Sequence, residues 1–224
     1  GNHHPTLSEL PEIVELTKKP LYKMIYVFLA TGFEEIEALT PIDIMRRAGL
    51  EVVTVSITGD KTVVGTHGVP VVADALLAEV DFAAAEMLVL PGGLPGSTNL
   101  DACAPLREGI QKAYEAGTPL AAICAAPMVY GHMGLLKGVK ATCYPGCESH
   151  MEGAEYTAAI VESDGQFITG RGPAAAFEFG YTLVDRILGE GASQPLREGM
   201  IYAQLLAWWT DMLVWWPAER GCAW

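Results

Sequence analysis

Four short, almost unbroken apolar runs separated by helix-like stretches constrain this chain more than any other feature. They are KMIYVFLA from Lys23, EVVTVSI from Glu51, EMLVL from Glu86 and PLAAIC from Pro119. A strand open to water on one face alternates apolar and polar residues, whereas an unbroken run is covered on both faces. The segment EEIEALTPIDIMRRAG, after the first run, carries acids in its first turn, two arginines in its last and Gly49 at its stop, which predicts a helix. APLREGIQKAYEAG predicts another before the fourth run. Strands alternating with helices predict a mostly parallel sheet with helices on both faces. Around this framework, TVVGTHGVPVVAD predicts a hairpin turning at His67 and Gly68, PMVYGHMG a short helix and VKATCYPG a further strand. GQFITGRGP predicts a strand that ends before a long helix over 174–188.

Both ends read as additions. Leu7, Leu10 and Val14 share one face of a short helix over 6–20, closed by Pro20. The expected organisation is an N-terminal extension over 1–20, an α/β domain over 21–192 and a C-terminal extension over 193–224. Within the last, MIYAQLLAWWTDMLVWW (200–216) has Asp211 as its single charge, with Gln204, Ala207 and Asp211 forming a narrow polar stripe. It reads as a helix packed on its own domain or on a partner subunit. Its tryptophans favour the alternative of a membrane-interface anchor, which the acidic chain opposes.

Half of the 224 residues are hydrophobic, enough for a sizeable core. The formal net charge of −13, with no basic cluster, excludes a nucleic-acid partner. Five cysteines, Cys103, Cys124, Cys143, Cys147 and Cys222, are scattered in a long chain rather than a small disulfide scaffold. The opening GNHHPTLSEL has no basic stretch followed by an apolar run. A reducing, cytoplasmic setting is the expectation.

In open parallel sheets, ligands gather outside the carboxyl ends of strands. Cys124 stands at such an end, immediately after an apolar strand and just before a helix with Pro127 in its first turn. This arrangement is similar to a nucleophile elbow. Free amides and the helix dipole there favour the thiolate, so a lowered Cys124 pKa is expected. Gly92 and Gly93 close a neighbouring strand, where amides can approach an oxyanion. Glu34, Glu35 and Glu37 open the first helix, and their spacing does not choose between them. A carboxyl next to the thiolate would keep its proton and donate it in a hydrogen bond. Cys143 and Cys147, four apart, lack a second ligand pair, so no metal site is expected. His132 reads as packed within its helix, and His67 as a loop-tip residue able to reach a neighbouring subunit.

Taken in order, ATGFEEIEALTPIDIMRRAG, VLPGG, AAICAAP, KATCYPG and GRGPAAAFEFG resemble the ThiJ/PfpI superfamily in its Parkinson disease protein 7 branch. The resemblance implies a flavodoxin-like (class I glutamine amidotransferase-like) three-layer α/β sandwich, a homodimer and no cofactor. It also implies a nucleophile at Cys124, an acid at Glu37 bonded to the sulfur, and anion-cradling amides at Gly93 and Ala125, beside Gly92. Tyr144, Arg171 and His67 are expected as neighbours of the site. The implied chemistry is cysteine-dependent action on small reactive aldehydes, of glyoxalase or deglycase type. The alternative is an oxidative-stress sensor or chaperone working through oxidation of Cys124. Protease or amidase activity is disfavoured because Ala125, not histidine, follows the cysteine. A role in thiazole monophosphate biosynthesis finds no phosphate-binding loop.

Overall fold

The computed structural model describes residues 23–215. The predicted 6–20 helix, the extension over 1–20 and the last residues of the 193–224 extension lie outside the described residues. The first run becomes β1 (Met24–Leu29), and the helix after it is α1 (Glu35–Arg47). Next come β2 (Val52–Ser56), the antiparallel hairpin β3 (Thr62–Val64) and β4 (Pro70–Val72), and a short β5 (Ala75–Leu76). The third and fourth runs form β6 (Ala85–Leu90) and β7 (Leu120–Ile123). Between them lie α2 (Gly96–Asp101) and α3 (Ala104–Glu115), and α4 (Pro127–His132) follows β7.

The predicted strand at VKATCYPG shrinks to β8 (Lys140–Ala141), which pairs with β9 (Glu155–Tyr156) outside the main sheet. Its continuation turns away because Tyr144 gives its amide to the Cys124 carbonyl (2.8 Å) rather than to a strand ladder. β10 (Val161–Asp164) and β11 (Phe167–Gly170) lead into α5 (Ala176–Leu188), and α6 (Gln194–Gly199) and α7 (Tyr202–Trp215) end the described chain.

Among the described residues the main sheet has seven strands in the order β10-β11-β7-β6-β1-β2-β5. All neighbours run parallel except β10 with β11. This is the expected α/β sandwich, and both faces of the sheet are covered. Ile25, Val27 and Leu29 of β1 point into the layer that holds Ile44 and Met45 of α1 and Phe179 and Leu183 of α5. Tyr26 and Phe28 point to the other side, with Leu106, Ile110 and Ala113 of α3 and Val129 of α4. Both sets of β1 side chains are buried, which explains the unbroken run. From β1 the chain steps outward to β2 and later returns to the opposite side as β6. Strand order therefore reverses between β1 and β6, and a crevice opens at their carboxyl ends.

The C-terminal segment first packs and then departs. Arg197 bonds Glu178 of α5 (2.8 and 3.0 Å) and lies over the Tyr181 ring, and Ser193 bonds Asp185. Leu196, Met200 and Tyr202 cover the core. Beyond Tyr202 the expected packing on the domain is absent: Leu205, Leu206, Trp208, Trp209, Met212 and Leu213 are all exposed. Leu206 faces Ile160 and Val161 only across an open cleft, so the helix is not seated on the domain beyond its first turn. No helix among the described residues is long and apolar enough to cross a membrane.

Ile44 is fully buried where α1 meets α5. Ile44→Ala is expected to lower unfolding free energy by about 2–5 kcal/mol in urea titrations, through lost burial and a residual cavity.

Candidate active site

Cys124 begins where β7 stops. Its backbone lies in the left-handed region, at φ 66°, a conformation that costs a residue with a side chain about 1–2 kcal/mol. Three hydrogen bonds hold it there. The Cys124 amide donates to Gly170 O of β11 (2.8 Å), its carbonyl accepts from Tyr144 (2.8 Å), and Ala126 closes the turn onto Ile123 O (3.0 Å). Pro127, whose missing N–H is no loss at a helix start, then opens α4. The turn directs the sulfur toward the amides of Gly93 and Ala125. Only 9% of the residue is exposed.

The three acids of α1 go three ways. Glu34 is the N-cap, accepting from the Glu37 amide (2.8 Å). Glu35 turns to the β3–β4 hairpin and accepts from the His67 amide (2.7 Å), with the His67 ring nitrogen Nδ1 2.9 Å from its other oxygen. Glu37 is fully buried beside the Cys124 thiol, and its two oxygens meet no N–H or O–H donor among the described residues. Gly92 makes this closeness possible: a Cβ there would lie 2.5 Å from Glu37 Oε1 and 2.6 Å from Cys124 Cβ. Gly92 thus contributes space and a carbonyl that accepts from the Glu34 amide (2.9 Å). The amides that face the sulfur are those of Gly93 and Ala125.

Burial pushes Glu37 up to about 8; the thiol's hydrogen bond pulls it down, and the Glu34 charge adds to the rise. At neutral pH this carboxyl therefore keeps its proton. For Cys124 the structure corrects the sequence-based expectation of a lowered pKa. Burial pushes the thiol up, and Glu37 raises it further by charge and hydrogen bonding, while the Ala125 and Gly93 amides pull it down without winning. Desolvation inside the sandwich outweighs two amides and the start of a helix only six residues long. The thiol and the carboxyl therefore share one buried setting, in which the proton held by one governs the ionisation of the other.

Tyr144 meets Cys124 through its backbone. Its ring and Arg171 line a shallow pocket of about 270 Å³ with Pro145, Ile160 and Pro173. The Arg171 guanidinium donates to Tyr156 Oη (2.7 Å). His67 is exposed and joins Glu35 rather than the sulfur. A larger pocket of about 430 Å³, between Leu76, Phe82 and Lys112, holds none of the predicted site residues. The Glu35–His67 brace gave no sequence signal, because its partners are 32 positions apart. Glu34 stands three residues before Glu37, where a cap would stand, and is the one added role the sequence made findable.

The model of the family described as DJ-1/PfpI matches residues 23–186, which include every element of this crevice. The chain belongs to the DJ-1/PfpI family. It is 32% identical over 183 residues to the Parkinson disease protein 7 homolog of Danio rerio, covering 80% of this chain and 97% of that one. A deglycase of Pyrococcus horikoshii, PH1704, is 34% identical over 148 residues, covering 65% and 87%. The crystal structure of a C103A mutant of the DJ-1 superfamily protein STM1931 from Salmonella typhimurium superposes with a TM-score of 0.76 at 36% identity, covering 80% and 97%. Family members thus share the sandwich as well as the sequence. The chain spans less than half the length of two Arabidopsis thaliana relatives, DJ-1 homologs B and A, at 41% and 44%.

The buried carboxyl gives the family member a pH-dependent stability. Unfolded, Glu37 ionises near the ordinary 4.5; folded, it holds its proton to about 8. Between these values the folded state binds the extra proton, so stability falls as pH rises and levels off above about 8. Glu37→Gln removes that slope. Urea unfolding from pH 4.5 to 8 should show the variant gaining on wild type by a few kcal/mol, on the order of one for each pH unit.

Proposed function

We propose that this chain is a cofactor-free enzyme acting on small reactive aldehydes, of glyoxalase or deglycase type, with Cys124 as nucleophile and Glu37 as proton carrier. The observation that carries this reading is the isolated Glu37 carboxyl, buried beside a sulfur that two amides face. A carboxyl that titrates near 8 is well placed to give and take a proton at neutral pH. The similarity to a protein named a deglycase points the same way.

For methylglyoxal the steps balance without an external oxidant. The Cys124 sulfur bonds to the aldehyde carbon as its proton leaves to solvent, and Glu37 gives its own proton to the carbonyl oxygen, giving a hemithioacetal beside a Glu37 carboxylate. Glu37 then takes the hydrogen from that carbon as a proton and returns it to the adjacent ketone carbon, while the hydroxyl proton passes from the first oxygen to the second. The aldehyde carbon is oxidised and the ketone carbon reduced, leaving a thioester. Water then cleaves the C–S bond, releasing lactate and restoring the thiol. The Gly93 and Ala125 amides hold the developing oxyanion.

Oxidation of Cys124 as a sensor is the alternative reading, since a Glu37 carboxyl that keeps its proton is placed to donate to an oxidised sulfur. Amide hydrolysis lacks a base at Ala125. The reading includes a homodimer and a reducing, cytoplasmic setting, in keeping with the free Cys103, Cys124, Cys143 and Cys147.

Lactate formation from methylglyoxal tests the mechanism. Cys124→Ala should abolish it, and Glu37→Gln should slow it by about 10²-fold or more. Equal rates in wild type and Cys124→Ala would remove the mechanism. Gly92→Ala, which inserts a methyl group between the two side chains, should lower the rate by at least about tenfold while leaving the circular dichroism spectrum intact.

A further inference from the structure

At the far ends of α2 and α4 lies a second cluster of titratable groups that the aldehyde chemistry does not use. His132 ends α4, and its Nδ1 is 2.7 Å from Asp101 Oδ2 at the end of α2. Its Nε2 is 2.9 Å from His150 Nδ1, although the two residues are 18 apart in sequence. Arg107 bonds Asp101 Oδ1 and fixes the carboxylate. The sequence reading placed His132 as packed; here it is exposed, and His150 is half-buried.

Hydrogen-bond accounting sets the tautomers. Asp101 as a carboxylate only accepts, so His132 Nδ1 carries the proton and Nε2 presents a lone pair. His150 Nδ1–H then donates to that lone pair. A carboxylate holding one ring nitrogen so that the other is oriented as an acceptor is the pattern found behind metal-bound histidines; here that acceptor meets His150. The opposite ring is equally restrained. The His150 carbonyl sits over Gly131 of α4, too close for any side chain at that position, and the His150 amide bonds Cys147 O (3.1 Å).

We propose that His132 Nε2 and His150 Nδ1 together bind a divalent cation of the zinc or cobalt class, oriented by Asp101. Metal–nitrogen bonds of about 2.0–2.1 Å at ordinary angles require nitrogens about 2.9–3.4 Å apart. The observed 2.9 Å lies at the near edge of that range, and both rings must turn so that the lone pairs now aligned along one hydrogen bond converge on the ion. His150 moves its proton from Nδ1 to Nε2, and the neutral pair therefore takes the cation without net proton loss. Imidazole nitrogens suit these ions, and water completes the coordination. The cation would join α4 to the turn at 148–151, which follows the loop carrying Tyr144.

Titration of the full chain with Co²⁺, read by its visible absorption, tests the site. The expected result is one saturable ion per chain, competed by Zn²⁺, with no thiolate-to-cobalt charge-transfer band. His150→Ala should weaken binding at least tenfold, and Asp101→Asn by about 10–100-fold. The Cys143→Ser/Cys147→Ser double variant should bind as wild type does. Unchanged affinity in a folded His150→Ala protein, a charge-transfer band, or absence of saturable binding would each overturn the proposal.

Discussion

A carboxyl and a thiol buried side by side, with no other donor for the acid among the described residues, set the terms for the crevice. Neither group can ionise cheaply in that setting, so the state of one is decided by the other. The surrounding backbone is arranged to permit this closeness. Gly92 leaves the space, Glu34 occupies the Glu37 amide, and the bond from Cys124 to Gly170 ties the elbow to a neighbouring strand. The strained φ at Cys124 persists because these bonds over-determine it. The sandwich supplies the dryness, and the strand order supplies the meeting point.

Much of this was legible in the sequence for a simple reason. Unbroken apolar runs such as MIYVFL can be satisfied only by a sheet covered twice, and the spacing of Leu106, Ile110 and Ala113 permits only one buried helix face. The position of Cys124 followed from the same pattern. What spacing did not decide was which acid meets the sulfur, because Glu34, Glu35 and Glu37 share one turn. The motif resemblance named Glu37, and their partners separate the three: Glu34 caps the helix, Glu35 holds the hairpin at His67, and Glu37 lies beside the thiol. The thiol's ionisation was read the wrong way because sequence reveals amides and dipoles but not the depth of desolvation. VKATCYPG was overread as a full strand, since nothing in those letters announces that the Tyr144 amide is claimed by the Cys124 carbonyl.

The two histidines at the far ends of α2 and α4 illustrate the same limit. Their partners come from three separate segments, so pattern reading treats each alone. The two helices that carry His132 and Asp101 also begin in or beside the turns holding Ala125 and Gly93.

The terminal helix leaves the body at Tyr202, with Leu206 at the edge of a cleft lined by Ile160 and Val161 and the side chains of Leu205, Trp208, Trp209 and Leu213 exposed. At 14 residues, and 1.5 Å of rise for each, it stands out as a spoke about 20 Å long. Ile160 lies under the first turns of this spoke and also lines the pocket with Tyr144 and Arg171, so a surface gripping the greasy outer length would press on the wall of that pocket.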